Sequence, residues 1–249
     1  MLLTTNGVVI RERPIGENDK YVDVLTRDCG LLEVMVRGAR KQNSKNGAST
    51  QLFMYSRLCI NHDKGRYILN SSEPINSFYN IRLDVKKLAL ASYFSDVLQF
   101  TILPDEPCDV VTRLLLNTLY YLNNDERDFR LLKPIFEMRL MSEIGLIPRL
   151  IGCCECCAYE AEVMYFDMEN GKLICNNCYD NTQELNVVAL SPTMLYTIRY
   201  IALSDYNKVF HFTLSESAMN ELSYICEKYV LIQLKRSFRT LEFYKSMLE

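Results

Sequence analysis

The first third of the chain alternates apolar and polar positions with a period of two, which predicts half-buried β-strands. Short runs rich in β-branched and aromatic residues are separated by turn residues, as at Asp28-Cys29-Gly30 and Lys64-Gly65. Five short strands in sequence favour a small closed barrel, and the OB-fold is a five-stranded barrel of this kind. The predicted strands are Gly7–Arg13, Tyr21–Thr26, Leu31–Arg37, Arg57–His62 and Tyr67–Ser71.

From Arg82 onward the apolar period becomes helical. Three apolar stripes predict three helices, and the first ends before Pro104 while the third ends at Gly145. The stripes consist of Leu90, Phe94, Val97, Leu98 and Ile102; of Val111, Leu114, Leu115, Leu119 and Leu122; and of Leu132, Phe136, Leu140 and Ile144.

Two more helices are predicted near the C-terminus. Ser191-Pro192 is typical of an N-cap followed by proline at the first helical position, and this helix reaches about Leu203. The last helix is expected as one continuous element over residues 216–247. The fold class is therefore α+β and multidomain, with an N-terminal OB-fold barrel over residues 1–80. An all-α domain carrying a zinc-ribbon insertion follows over residues 81–249.

Four cysteines form the most specific chemical pattern, Cys153-x-x-Cys156 and Cys175-x-x-Cys178, with eighteen residues between the pairs. Each pair can hold one side of a tetrahedral Zn²⁺ ion through thiolate bonds of about 2.3 Å. All four ligands then come from the protein, so the predicted site is structural rather than catalytic. Strand-like residues 162–166 and a turn at Asn170-Gly171 predict a zinc ribbon over about residues 148–185.

The first cysteine pair has two possible registers, because Cys154 and Cys157 form a second C-x-x-C one residue along. A disulfide or a redox dithiol is a further alternative, although neither explains the second pair. Ten cysteines in a chain without a signal-peptide pattern at its start favour metal binding and reduced thiols, hence a cytoplasmic protein. The remaining four are expected in the core: Cys29, Cys59, Cys108 and Cys226.

The charge distribution points to a local cationic surface. The net charge is −3, yet residues 1–80 contain eleven basic and eight acidic residues. A polar stretch over residues 38–50 predicts a mobile loop after the third strand. A local cluster of basic residues in this region can bind phosphate even though the whole protein is anionic. Its basic residues, together with one on the next strand, are Arg37, Arg40, Lys41, Lys45 and Arg57.

Single-strand binding by OB-folds combines a cationic groove with aromatic side chains on which bases stack. Phe53, Tyr55 and Tyr67 are candidates for such stacking, and a solvated loop without a ligand is the alternative. The predicted last helix presents a second basic stretch that can contact phosphate or a partner, although its apolar face favours core packing. The basic residues of that stretch include Lys235, Arg236 and Arg239.

Enzymatic chemistry finds little support in the sequence. The only histidines, His62 and His211, have no neighbouring nucleophile pattern. Neither G-x-x-x-x-G-K-[ST] nor G-x-G-x-x-G occurs, so no nucleotide cradle is predicted. A metal-dependent deaminase is disfavoured because His-x-Glu does not precede the cysteines and the ligand set is saturated. The prediction is a protein that is not an enzyme.

Several segments in the same order resemble the bacterial RecO recombination-mediator family. Residues 7–10, 16–19, 25–26 and 30–31 resemble its opening strands, and residues 36–41 with Ser44 resemble its basic loop. Residues 135–150 resemble the helix that precedes its zinc motif, and 235–243 its basic C-terminal segment. The family places its first cysteine five residues after a proline equivalent to Pro148, which selects Cys153 and Cys156. Cys157 replaces the family's usual glycine.

The resemblance implies a DNA repair protein that is not an enzyme, with an OB-fold and a helical domain bearing a zinc finger. Such proteins bind single- and double-stranded DNA and anneal complementary strands. They work with RecR to load recombinase onto strands coated by single-strand-binding protein (SSB), whose C-terminal tail the helical domain receives. The implied location is the cytoplasm, at the nucleoid. The alternative is a zinc-ribbon interaction adaptor that does not touch nucleic acid.

Overall fold

A computed structural model describes residues 1–180, 186–206 and 208–248 of the chain. The chain divides into two compact units, one formed by Met1–Asn124 with Phe238–Glu249 and the other by Asp125–Ser237. The predicted boundary at residue 80 stays a prediction. The end of the predicted zinc-ribbon range, residues 181–185, lies outside the described residues.

The first unit contains a closed five-stranded barrel in the order β1-β2-β3-β5-β4, in which β1 pairs with β4. The contact between β3 and β5 is parallel and short, and the other pairings are antiparallel. This topology confirms the predicted OB-type barrel. The strands are β1 (Leu2–Ile15), β2 (Asp19–Thr26), β3 (Gly30–Val36), β4 (Met54–Asp63) and β5 (Arg66–Ser77).

The period-two pattern fills the inside of this barrel. Val22 and Val24 of β2 pack with Leu32 and Val34 of β3, and all four side chains are at most 1% exposed. At roughly 25 cal/mol per Å² of buried apolar surface, this burial is the main stabilising contribution within the barrel.

Helices follow the barrel within the same unit, and the predicted apolar stripes of the first two are buried. Asp84 caps α1 by accepting hydrogen bonds from the backbone N–H groups of Lys86 and Lys87. The helices of this unit are a short 3-10 helix at Ala48–Thr50, another at Tyr79–Leu83, α1 (Val85–Thr101), α2 (Asp109–Asn124) and α6 (Arg239–Ser246).

The second unit combines helices with a small sheet in the order β6-β8-β7-β9. Helices α3 and α5 pack against each other, and α4 follows the sheet. Its elements are α3 (Phe129–Glu143), β6 (Arg149–Cys153), β7 (Met164–Asp167), β8 (Lys172–Cys175), β9 (Val187–Leu190), α4 (Pro192–Leu203) and α5 (Glu216–Leu234). None of the helices in the described part of the chain combines the length and apolarity that crossing a bilayer requires.

The prediction of one continuous C-terminal helix is wrong. Helix α5 ends at Leu234, and Lys235 takes the left-handed conformation with φ of 50°. The backbone N–H groups of Lys235 and Arg236 turn back onto carbonyl groups of the last turn, which satisfies them. Phe238 is 1% exposed and packs edge-on against Tyr93 of α1 before α6 begins. The helix therefore ends without the glycine or proline that usually indicates such an end in a sequence. Burial of the Phe238 ring fixes the course of the chain between α5 and α6.

Candidate metal centre and nucleic-acid interface

The two cysteine pairs meet at one end of the small sheet. The Sγ atoms of Cys153, Cys156, Cys175 and Cys178 all lie within 4.8 Å of one another. Sulfur ligands at about 2.3 Å from a tetrahedral ion would be separated by about 3.8 Å. The observed distance between the sulfurs of Cys156 and Cys175 is 3.6 Å. The donor set and its spacing therefore fit a metal ion with four thiolate ligands.

Two tight turns place these sulfurs. In the first, Cys157 N–H donates to the carbonyl of Cys153 at 3.0 Å, and in the second Cys178 N–H donates to that of Cys175 at 3.0 Å. The N–H of Cys175 also donates to Sγ of Cys153 at 3.3 Å, so each turn supports the other. Hydrogen bonds of this kind orient ligand sulfurs and delocalise thiolate charge.

Thiol protonation responds to the same contacts. Burial raises the pKa of Cys153, but hydrogen bonds from three backbone N–H groups of the turns outweigh it and lower that pKa to about 6. Hydrogen bonding to the thiols of Cys175 and Cys156 raises the pKa of Cys178 to about 12. A cation bound by the four sulfurs would displace the protons that the thiols still hold.

The geometry distinguishes the two registers of the first pair. Cys154 is not part of the cluster, and its Sγ lies 3.3 Å from a carboxylate oxygen of Glu155. Cys157 is exposed and has φ of +61°, the left-handed region that favours glycine. Cys157, like Cys154, is not one of the four clustered cysteines.

Arg199 fastens the ribbon to α4. Its Nε donates to the carbonyl of Leu150 at 2.7 Å, and its Nη2 donates to that of Tyr159 at 2.8 Å. Its guanidinium carbon lies 4.1 Å from the centroid of the Tyr159 ring, and the residue is 9% exposed. The sequence prediction missed this contact, although an arginine within the apolar run of residues 194–202 was a signal that it has internal partners.

On the barrel, the basic loop borders a groove with a cavity volume of about 560 Å³, called here the loop groove. Arg40 and Lys41 line it and are both exposed. Arg40 is fixed in place because its backbone N–H donates to Asn18 and its Nη1 to the carbonyl of Gly16. The other lining residues are Glu12, Pro14, Lys20, Ala39, Gln42, Ser44, Gly47, Ala48 and Gln51.

The charges at the bottom of the groove cancel in part. Lys20 is 6% exposed, forms an ion pair with Glu12 at 2.8 Å and donates to the carbonyl of Thr50 at 2.7 Å. Because Lys20 and Glu12 neutralise each other, Arg40 and Lys41 give the groove its positive charge. Lys20 and Val22 are two residues apart on β2 and are both buried. This period-two position is the feature of the sequence that indicates a buried lysine.

The second half of the loop is tied down rather than loose. Ser49 and Thr50 are buried, and both hydroxyl groups donate to the carbonyl of Asn46. The side chain of Asn46 accepts from the backbone N–H of Ser72 on β5. These bonds hold the loop against the barrel and keep the groove open.

The other predicted phosphate contacts lie apart from the groove lining. Arg37 and Lys45 are exposed on the loop at either side of Arg40 and Lys41. Arg57 is exposed on the outer face of β4, where the backbone register pairs it with Glu73 of β5. The acidic neighbour weakens the attraction of Arg57 for phosphate.

The aromatic candidates are largely occupied within the protein. Phe53 is 1% exposed, so it cannot stack on a base from solvent. The Tyr67 ring stacks on His62 at 4.3 Å, and its hydroxyl donates to Asp105 at 2.9 Å. Tyr55 is half-buried on β4. Tyr79 is an exposed aromatic residue in contact with Arg82, and it is not among the predicted stacking residues.

The predicted C-terminal basic stretch is divided between the two units. Lys235 and Arg236 are exposed in the connection that ends α5, and they belong to the second unit. Arg239 is exposed in the first turn of α6 and belongs to the first unit. Their joint role stays a prediction.

Comparison with known sequences identifies relatives along nearly the whole chain. A family described as recombination protein O N terminal matches residues 1–78, and one described as recombination protein O C terminal matches residues 82–242. A DNA repair protein RecO of Acetivibrio thermocellus is 31% identical over 245 residues, covering 98% of this chain and 97% of the relative. That of Bacillus pumilus is 30% identical over 229 residues, covering 92% and 88%.

Proposed function

The chain belongs to the RecO family of DNA repair proteins, and on this premise we propose that it is a DNA-binding recombination mediator. In this role it anneals complementary strands and helps to load recombinase onto single-stranded DNA coated with SSB. It acts by binding and not by catalysis, in the cytoplasm at the nucleoid. Its partners are single- and double-stranded DNA, RecR and the C-terminal tail of SSB.

The loop groove is the observation that supports DNA binding most strongly. It joins an OB-type barrel to two exposed cations, Arg40 and Lys41, and the backbone N–H of Arg40 donates to Asn18 in the turn between β1 and β2. Phosphates of a strand would lie along these cations, with Arg37 and Lys45 adding charge at the sides. Arg57 on β4 extends the contact, less strongly because of Glu73.

Weak, salt-sensitive contacts suit a mediator because strands must exchange without being locked. Each neutralised phosphate contributes a slope of about −0.7 to the logarithm of the binding constant against the logarithm of salt for single strands. Four contacts from the loop would give a slope of roughly −3. Lys235, Arg236 and Arg239 are proposed as a second set of phosphate or partner contacts.

We further propose that the ion held by Cys153, Cys156, Cys175 and Cys178 is Zn²⁺. Four thiolates and no open position are typical of structural zinc. The bound ion would supply a crosslink between the two turns. Arg199 of α4 would connect the crosslinked ribbon to that helix through its hydrogen bonds to β6 and Tyr159.

One observation favours the adaptor alternative. A cleft with a cavity volume of about 270 Å³ lies between the ribbon and α4, with Leu195 in its lining. Tyr159 and Tyr196 at its edge are 57% and 70% exposed. An adaptor would use this surface for a protein partner and leave the barrel without a ligand.

Neutralising the loop separates the two functions. A variant with Arg37→Gln, Arg40→Gln, Lys41→Gln and Lys45→Gln is tested for annealing of SSB-coated complementary strands. The mediator predicts slower annealing and weaker binding of oligonucleotides. Unchanged annealing and binding would support the adaptor instead. Lys208→Gln with Lys228→Gln, in the second unit, is the control for loss of positive charge elsewhere and should anneal normally.

A further inference from the structure

Tyr79 presents an exposed ring that is connected to the loop groove. Its side chain is 55% exposed, and the guanidinium carbon of Arg82 lies 5.1 Å from its ring centroid. Arg82 donates from Nη1 to Oε1 of Gln51 at 2.6 Å, and Gln51 lines the groove. Gln51 of the groove therefore contacts Arg82, and Arg82 in turn contacts Tyr79. All three residues belong to the first unit.

The backbone that carries this ring is held firmly. Phe78 and Ile81, on either side of Tyr79 in the 3-10 helix region, are 4% and 0% exposed. Asn80 donates from its backbone N–H to Oδ1 of Asn123 at 3.0 Å and from its side chain to the Asn123 carbonyl at 3.2 Å. A flat ring on a fixed backbone loses little conformational freedom when a ligand stacks on it.

Aromatic rings and guanidinium groups are the side chains on which unstacked nucleobases pack. An exposed tyrosine beside an arginine, next to a groove with cations for phosphates, reproduces the two components of a single-strand binding surface. Burial of Phe53 and the internal contacts of Tyr67 exclude two of the three predicted stacking residues on the barrel, and the third, Tyr55, is half-buried.

We propose that Tyr79 and Arg82 form a stacking site for one unpaired base of a DNA strand whose phosphates lie in the loop groove. The proposal rests on the proposed function and adds a preference to it. A base in a duplex is already stacked and paired, so the site favours single strands. Because every base has a stacking face, the site does not select sequence.

Tryptophan fluorescence tests the contact directly, since the chain contains no tryptophan. Tyr79→Trp gives a single reporter, and oligothymidylate should quench its emission while an abasic oligonucleotide of equal length and charge should not. Tyr224→Trp is the matched control, because Tyr224 is 56% exposed and has the Lys228 ammonium 5.8 Å from its ring. Equal quenching by both oligonucleotides, or none by either at saturating binding, would overturn the stacking site.

Affinity measurements separate stacking from charge. Tyr79→Ala should weaken oligothymidylate binding about tenfold, and Tyr79→Phe should bind normally. Binding of the abasic strand should be unchanged in Tyr79→Ala, and Tyr224→Ala should match the unsubstituted protein for both strands. If Tyr79→Ala binds oligothymidylate normally while Arg40→Gln with Lys41→Gln does not, the stacking site is wrong and the proposed function stands. If the unsubstituted protein binds neither strand, the proposed function fails and the site with it.

Discussion

The ammonium group of Lys133 lies 3.0 Å from Oε2 of Glu227, between α3 and α5 in the second unit. The same nitrogen lies 3.0 Å from Oε1 of Glu137, so one cation serves two carboxylates. Burial lowers the pKa of Lys133, but the charges of Glu137 and Glu227 outweigh it and raise that pKa above its usual value. The lysine side chain is 3% exposed, so its charge is neutralised by protein groups and not by water.

Removing this cation should destabilise the second unit strongly. Lys133→Met leaves two carboxylates without their counterion, and loss of one partner in a buried ion pair costs about 3–5 kcal/mol. Urea unfolding followed by circular dichroism measures the change in the free energy of unfolding. The variant with methionine at positions 133, 137 and 227 should recover most of it, since no unpaired charge then remains in this cluster. An unaltered midpoint for Lys133→Met would show that the cluster does not stabilise the fold.

Asp128 should contribute a pH-dependent stabilisation of α3. Its carboxylate caps the helix by accepting from the backbone N–H of Arg130 at 2.9 Å. Hydrogen bonding to the Arg130 side chain lowers the pKa of Asp128 below its usual value. A depressed carboxyl pKa stabilises the fold above the unfolded pKa of about 3.9, and this contribution is lost as the pH falls through the folded pKa.

Asp128→Ala should therefore lower the free energy of unfolding by about 1 kcal/mol at neutral pH. The difference from the unsubstituted protein should shrink below about pH 4, where the carboxyl group of the unfolded chain becomes protonated, and should be lost as the pH falls through the lower pKa of the folded protein. Asp128→Asn is the control, because it keeps a capping oxygen without a titrating charge. A difference for Asp128→Ala that is as large in acid as at neutral pH would contradict the assignment.

The thiol cluster predicts about one equivalent of zinc per chain by elemental analysis. Cys175→Ser should lose the metal, because it removes a buried ligand and its neighbours cannot complete the tetrahedron. Cys154→Ser is the matched control and should keep the full equivalent. Metal retention in Cys175→Ser, or loss in Cys154→Ser, would show that another ligand set is used.

Cys157→Gly should slow metal release to a chelator. Its φ of +61° is strained for a residue with a Cβ atom by about 1–2 kcal/mol, and glycine relieves that strain. Cys157→Ala is the comparison, because it removes the thiol but keeps the Cβ atom. If the glycine and alanine variants release metal equally fast, backbone strain at this turn has no influence on the site.

Much of the architecture follows from local patterns in the sequence. The barrel strands were recognised because alternation at residues such as Val22 and Val24 places every second side chain inside. The spacing of two C-x-x-C pairs predicts the metal centre, and the family resemblance selects Cys153 and Cys156 within the first pair. Both signals depend on neighbours close in sequence, which a single chain reveals directly.

Other features depend on contacts that sequence spacing does not encode. The end of α5 and the turn after it depend on the contact between Phe238 and Tyr93, two residues that are far apart in the sequence. The loop groove keeps its shape because Asn46 of the loop bonds to Ser72 of β5, which lies further along the chain. The prediction that Phe53 is available for stacking is wrong because the residue is 1% exposed, and its φ of 60°, uncommon for a residue with a Cβ atom, is not predictable from residue type.

The salt dependence of single-stranded DNA binding tests the central claim that the loop groove holds the phosphates. Titration of a fluorescent oligonucleotide compares the unsubstituted protein with Arg40→Gln/Lys41→Gln, and with Lys208→Gln/Lys228→Gln as the control of equal charge change. The account predicts that the slope of log K against log salt becomes less steep by about 1.4 in the loop variant and stays unchanged in the control. An identical slope in the loop variant and the unsubstituted protein would contradict it.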